Sequence, residues 1–295
     1  MKILITGATG QLGTDCCMVL RKQYDVVEMP KEDLDITKEE AVIDALRKHS
    51  PDVVLNCAAF TNVDGCETMR ELAWNVNVNG PKNLARCSRQ VNARLIHIST
   101  DYVFSGSREV PEPYREDDEP DPLSWYGKTK LEGEEAVRRE NDRNVIVRTA
   151  WVYGLHGHNF LKTILKLALN SAGQERKVVN DQFGSITWSY RLAKQIAVLI
   201  EANALGVFHA TAEGYGSWFD VASYFLEKMN VPCHLVPCTT DEFPRPARRP
   251  ANSILENRRL KQAGLNIMVD WRKDLALYAE THRERLIREA LAETS

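Results

Sequence analysis

Apolar positions along the chain follow two alternating rhythms. The short runs KILIT (2–6), DVVEM (25–29), DVVLNCAA (52–59), RLIHIST (94–100) and NVIVRTAWVYG (144–154) are dense in aliphatic and β-branched residues. Between them, QLGTDCCMVLRKQ (11–23), TKEEAVIDALRKHS (37–50) and RELAWNVNVNGPKNLARCSRQ (70–90) place apolar residues at helical spacing. Buried strands alternating with amphipathic helices imply right-handed crossovers and a parallel sheet covered on both faces, so the fold class is α/β and doubly wound to about residue 154. Thr37 ahead of KEE predicts an N-cap with acids in the first turn. HSPD (49–52) predicts the stop of that helix before the next strand.

After residue 155 the rhythm is less regular. The pattern predicts a helix over 158–172, a polar, turn-rich segment KVVNDQFGSITW (177–188), a helix over 189–202, a short strand GVFHA (206–210) and a helix from Ser217 to about Met229. CTTDEFPRPARRPANS (238–253) reads as a proline- and arginine-rich loop, and two amphipathic segments follow it. With no repeat and no flexible linker, the expected division is a sheet domain over 1–154 and a smaller, interleaved lobe over 155–295, some of whose segments return to the first.

Composition narrows the function. The chain has 295 residues, 43% of them apolar, enough for a sizeable core. Its 38 basic and 41 acidic residues nearly cancel, which argues against the global basic field of a nucleic-acid or membrane-surface binder and favours a small-molecule partner. Seven cysteines, an odd number without a CxxC pair and partly within apolar runs, point to a reducing compartment. MKILITGATG reads as a strand entering a glycine turn rather than as a signal peptide, and no apolar run approaches the ~18 residues that span a bilayer. The expected location is the cytoplasm.

ILITGATGQLG sets Gly7, Gly10 and Gly13 directly after the first strand and at the head of a helix. Such a trio serves a tight turn, a close backbone approach to a pyrophosphate, and helix–sheet packing, with the helix N-terminus facing the phosphates. In the context of the first strand of a parallel sheet this predicts a Rossmann-type dinucleotide site. Beyond the second strand, EMPKED (28–33) offers Pro30 where an acid would take a ribose hydroxyl, and then Lys31. That leans toward NADPH over NADH, although Lys31 reads equally as a solvated charge. Asp35 and Ile36 are candidates to flank the adenine, or part of a polar turn.

Tyr126 and Lys130 in WYGKTK are four residues apart on a helix and share a face. Upstream, HISTDYVF (97–104) ends a buried strand at Ser99 and Thr100, at the carboxyl edge where open α/β sheets bind ligands. Ketone reduction by a nicotinamide requires a proton for the developing alkoxide. A phenol becomes a useful acid–base group when a nearby cation favours its phenolate, the role read for Lys130, and Thr100 is read as the hydroxyl that orients the carbonyl.

TGATGQLG, LDIT, PDVVLNCAAFTNVDGCE, NVNGPKNLA, ISTDYVFSG, YGKTKLEGE, RTAWVYG, NFLKTIL, VVNDQFGSITW, GVFHATAEGYGSW and PRPARRPANSIL together resemble the dTDP-4-dehydrorhamnose reductase branch of the extended short-chain dehydrogenase/reductase family. The resemblance covers nearly the whole chain. It implies NAD(P)H-dependent reduction at C4 of a dTDP-4-keto-6-deoxy sugar, with Thr100, Tyr126 and Lys130 catalytic. It places Gly7, Gly10, Gln11, Leu12 and Gly13 on the phosphate turn, Asp35 and Ile36 near the adenine, and Ala58, Ala59 and Thr61 along the cofactor. Val63, Asp101, Tyr102 and Trp151 match positions that contact the sugar nucleotide. Trp151 also reads as a core tryptophan capping the sheet. Arg248 or Arg249 of RPARRP would clamp the diphosphate; an ion pair with the nearby acids is the other reading. Some family members bind magnesium at a dimer interface. Here Asp15 matches one position but Tyr190 stands where another carboxylate is expected, so no metal is expected, and the chain is read as a monomer or homodimer. A reductase for a different deoxysugar nucleotide and a non-catalytic cofactor-binding subunit remain as alternatives. Dehydration is disfavoured because Thr100 is followed by Asp101 and Tyr102 rather than by an Asp–Glu pair.

Overall fold

In the computed structural model, which describes residues 1–170 and 174–292, the apolar runs pair as one parallel sheet. Its strands are β1 (Lys2–Thr6), β2 (Asp25–Met29), β3 (Val53–Asn56), β4 (Arg94–Thr100), β5 (Asn144–Thr149) and β6 (Gly206–His209). Their spatial order is β6-β5-β4-β3-β1-β2. The chain steps from β1 outward to β2 and then back across β1 to β3, and this reversal opens a crevice at the carboxyl ends of β1 and β3.

Helices cover both faces. They are α1 (Gln11–Leu20), α2 (Glu39–His49), α3 (Gly80–Gln90), α4 (Trp125–Glu140), α5 (Phe160–Leu169), α6 (Ser189–Glu201), α7 (Trp218–Lys228) and α8 (Trp271–Ala292). Successive strand residues point to opposite faces. Ile3, Ile5, Leu55, Ile96 and Val147 therefore pack against Cys16 and Leu20 of α1 and Leu192 and Ile196 of α6. Leu4, Val54, Leu95 and Ile146 pack against Val42 and Leu46 of α2, Leu84 of α3 and Val137 of α4. Every residue of β3 and β5 is buried, which is why these segments read as continuous apolar runs.

Three local details differ from the sequence expectation. Thr37 does not cap α2: its backbone N–H and its hydroxyl both donate to Asp35 Oδ1, at 3.0 and 2.7 Å, while Lys38 occupies the N-cap position. The Asp35 side chain competes for Thr37 as a turn former, and a carboxylate accepting two bonds prevails over a cap. The segment 70–90 is broken into a short helix (Arg70–Trp74), a π-helical turn (Asn75–Asn79) and α3. The π turn brings Asn77 inward, where Oδ1 accepts from Phe60 N at 2.8 Å and Nδ2 donates to Thr129 Oγ1 at 3.1 Å. The helix expected over 158–172 runs from Phe160 to Leu169; positions 171 and 172 lie outside the described residues. The stop of α2 is as expected, at a left-handed Ser50 before Pro51.

Chain beyond residue 154 builds both a small lobe and part of the sheet layer. α5, α7 and α8 enclose a core of Leu161, Leu165, Phe225, Trp271 and Tyr278. Ser217 caps α7 in a capping box with Asp220, the two bonds being 3.1 and 2.9 Å. β6 returns to pair with β5, and α6 packs on the α1 face. All seven cysteines are free thiols.

A methyl group at Gly13 would lie 2.1 Å from the Gly7 carbonyl oxygen, so the first turn of α1 closes only around glycine. Gly13→Ala is expected to lower stability by about 1–3 kcal/mol, measured as a shift in the urea midpoint.

Candidate active site

The crevice at the carboxyl ends of the strands holds a cavity of about 450 Å³. Gly10, Gln11 and Leu12 form one rim, at the N-terminus of α1. Gly7 adopts a left-handed φ of +63°, and a Cβ there would meet Ala58 N at 2.7 Å. Both the conformation and the exit path of β3 demand glycine. No side chain caps α1, so its first N–H groups are free to meet an anion. This cradle fits the pyrophosphate of a dinucleotide. The Gln11 side chain leaves the cradle and donates to Val152 O at 2.9 Å, while Asn159 Nδ2 donates to Gln11 Oε1 at 2.9 Å. These bonds fasten the turn to the strap that leads into the lobe.

The catalytic candidates converge on the same cavity. Thr100 ends β4 and caps the 3₁₀ turn Asp101–Val103; its Oγ1 accepts from Tyr102 N at 3.2 Å and donates to Asp101 Oδ1 at 2.8 Å. Ser124 caps α4, with Oγ accepting from Gly127 N at 3.1 Å. A Cβ on Gly127 would lie 2.1 Å from Tyr102 O, so the glycine inside YGKTK lets α4 settle on the turn after β4. Tyr126 and Lys130 follow on the inner face, 8% and 2% exposed. Burial raises the Tyr126 phenol well above its usual range; the charge of Asp101 adds to this and the Thr100 hydroxyl opposes it. Burial lowers Lys130 to about 8, opposed by Glu134 and Cys57. Lys130 Nζ donates to Ile98 O at 2.7 Å, so its ammonium is anchored on β4.

A buried network that spacing did not reveal supports these groups. Glu134, one turn beyond Lys130 and fully buried, accepts from Ser99 Oγ at 2.6 Å, from Arg148 Nε and Nη2 at 2.9 and 2.8 Å, and from Arg138 Nη2 at 2.9 Å. On the other side, Asn56 Oδ1 accepts from Thr6 Oγ1 at 2.7 Å and Ala58 N at 3.1 Å, leaving Nδ2 to face His97 Nδ1 at 3.0 Å. Burial, with Lys130 adding, holds His97 far below its usual range and therefore neutral.

Of the expected sugar-nucleotide contacts, Val63, Asp101, Tyr102 and Trp151 border the cavity, as do Ala59 and Thr61. Trp151 takes a left-handed φ of 47° and stacks on Trp218, ring centroids 3.6 Å apart and 8° from parallel. Thr149 and Trp218, from the motifs RTAWVYG and GVFHATAEGYGSW, also line the space, as does His158, which nothing in its local sequence marks. Gly7, Gly13 and Ala58 lie beneath the turn rather than on the cavity wall. Asp35 faces Thr37, and Ile36 is buried against Gly80; neither reaches this cavity. The arginine loop divides: Arg249 pairs with Asp64 at 2.9 Å and donates to Tyr102 OH at 3.2 Å, whereas Arg248 is exposed. Arg249, Arg245 and Lys177 border an adjoining cavity of about 440 Å³ that shares the Trp218 wall. Asp15 is buried and bonded by Ser189 Oγ, and Tyr190 lies under Lys194 at 4.4 Å.

A doubly wound sheet, a glycine turn opening its first helix, and a buried Thr–Tyr–Lys set at the carboxyl edge define a reductase of the short-chain dehydrogenase type. The chain belongs to the RmlD substrate binding domain family, which it matches over residues 1–284. A dTDP-4-dehydrorhamnose reductase from Clostridium acetobutylicum is 44% identical, with a TM-score of 0.92 over 95% of this chain and 99% of that one. A dTDP-4-dehydrorhamnose reductase from Bacillus anthracis, solved in complex with NADP, is 37% identical, with a TM-score of 0.91 over 94% and 98%. The spore coat polysaccharide biosynthesis protein SpsK of Bacillus subtilis is 39% identical over 95% of this chain and 97% of its own.

Glu134→Ala would leave Arg148, itself 2% exposed, as a buried charge without its partner. The variant is expected to lose about 3–5 kcal/mol of stability in urea unfolding, with the far-ultraviolet dichroism of the folded state retained at low temperature.

Proposed function

We propose that this chain reduces the C4 ketone of dTDP-4-dehydro-6-deoxy-L-mannose, dTDP-4-dehydrorhamnose, to dTDP-L-rhamnose, the last step of dTDP-rhamnose synthesis. The observation that carries this reading is the meeting of Thr100, Tyr126 and Lys130 with the Gly10–Leu12 rim in one cavity, within a chain of this family. A bound reduced nicotinamide supplies the hydride. NADPH is taken as the first cofactor, because Pro30 and Lys31 directly follow β2, where an acid would take the ribose hydroxyl, and because the Bacillus anthracis relative was solved with NADP. NADH is the second cofactor to test.

The residues then divide the work. Tyr126, kept protonated by burial, gives its proton to the alkoxide oxygen as negative charge develops there. The Lys130 cation makes the resulting phenolate less costly and offers N–H donors to a ribose. Thr100 holds the carbonyl oxygen in line with Tyr126. The Trp151 indole bounds the sugar, and Arg249, once drawn from Asp64, meets the diphosphate with its planar fork. Residues 1–154 hold the cofactor, and 155–295 mainly shape the substrate lobe. We infer a monomer or homodimer working in the cytoplasm; among the described residues no helix is long and apolar enough to cross a membrane.

Purified protein mixed with the 4-keto nucleotide sugar and NADPH or NADH is expected to oxidise the cofactor, and no oxidation with either would defeat the reading. Faster turnover of a different 4-keto-6-deoxy nucleotide would reassign the sugar and leave the chemistry intact. Tyr126→Phe is expected to retain cofactor affinity by fluorescence titration while kcat falls by about a hundredfold or more. Lys130 is charged below a pKa of about 8 and neutral above it, so kcat is expected to fall as pH rises through that value, with Lys130→Met removing that limb.

A further inference from the structure

A threonine hydroxyl has one proton and two lone pairs. At Thr100 the proton points to Asp101 Oδ1 at 2.8 Å, and one lone pair accepts Tyr102 N–H at 3.2 Å. What remains toward Tyr126 and the cavity is a lone pair. A ketone oxygen arriving there meets an acceptor, whereas polarising a carbonyl requires a donor.

Asp101 controls this orientation. It is 3% exposed, it borders the cavity, and its Oδ2 has no hydrogen-bond partner in the structure. Ser253 from the strand Asn252–Ser253 faces the carboxyl, Tyr126 and Lys130 lie on α4 across from it, and Tyr102 beside it carries Arg249 over its ring at 5.9 Å. The nearby cations are engaged elsewhere, Lys130 with Ile98 O and Arg249 with Asp64. Burial raises the carboxyl to about 6, against the Ser253 and Thr100 hydroxyls, which lower it.

We propose that Asp101 is a positioning residue that switches Thr100 between two roles. As a carboxylate it holds the Thr100 proton and leaves the hydroxyl an acceptor. As a neutral acid it donates to Thr100 Oγ1 and frees the Thr100 proton for the carbonyl oxygen of the substrate. The two states differ by one proton on the Asp101 carboxyl, taken from solvent, and by the direction of the Asp101–Thr100 hydrogen bond; the proton consumed by the reduction still comes from Tyr126. This inference rests on the reductase reading above.

The test combines a pH profile with infrared spectroscopy. In the wild type kcat/KM is expected to fall several-fold as pH rises through about 6, where the neutral acid is lost. Asp101→Asn presents an amide N–H to Thr100 at every pH, so its profile is expected to be flat through that range, with a value at about pH 7 several-fold above wild type. Infrared difference spectra of the protein without substrate should show one carboxyl band that titrates between about pH 5 and 7 and is absent from Asp101→Asn. In Thr100→Val, which removes the hydroxyl donor, the band should titrate about one unit higher, a readout that holds even if the asparagine variant does not fold. An unchanged limb in Asp101→Asn, the absence of the band, or an unmoved band in Thr100→Val would each overturn the proposal. The infrared arm needs no turnover, so its failure is separate from failure of the reductase reading, which the wild-type assay tests.

Discussion

The arrangement of this site depends on one buried carboxylate. Glu134 lies inside the protein and is tolerated there because Ser99, Arg148 and Arg138 together supply four hydrogen bonds to its two oxygens. Those partners sit on β4, on β5 and on α4 itself, so a single group fastens α4 to the two strands whose ends line the cavity. Lys130 lies one turn from Glu134 on the same helix, and Thr100 is the neighbour of Ser99. Thr100, Tyr126 and Lys130 therefore stand on rigid elements whose mutual placement this network sets.

Close backbone approach completes the arrangement. Gly127 lets α4 touch the turn after β4, and Gly133 lets the same helix pass the Asn77 carbonyl, which a Cβ would meet at 2.2 Å. With α4 pressed in from both ends, Tyr126 and Lys130 lose water together. Desolvation disfavours whichever form is charged, so the same burial raises Tyr126 and Asp101 and lowers Lys130. A phenol that stays protonated and a cation that titrates near neutrality thus share one cause.

The second lobe supplies part of the cavity wall. Trp151 leaves the end of the β5 segment in a left-handed conformation and meets Trp218 from α7, so the wall between the two cavities is built half from each part of the chain. Gln11 bonds to Val152 O and Asn159, which holds the glycine turn to the strap leading into the lobe. The Asp64–Arg249 pair bridges the helix after β3 and the arginine loop at the cavity mouth.

Local chemistry settled much of this protein. Alternating runs specified the parallel sheet, the Gly7–Gly13 turn followed from backbone conformation, and the four-residue spacing of Tyr126 and Lys130 placed both on one face, because each is a property of neighbours along the chain. Where long-range partners compete, spacing carried no information. Thr37 turned toward Asp35, the 70–90 helix broke at a π turn that Asn77 needs to reach Phe60 and Thr129, and the choice between Arg248 and Arg249 fell to whichever met Asp64 and Tyr102. Helical spacing accounts for the Arg138 bond to Glu134, but Arg148, fourteen positions away, reaches it only through the fold. Only tertiary structure decides such pairings, since the energy of a buried charge depends on what surrounds it in space and not on what precedes it in sequence.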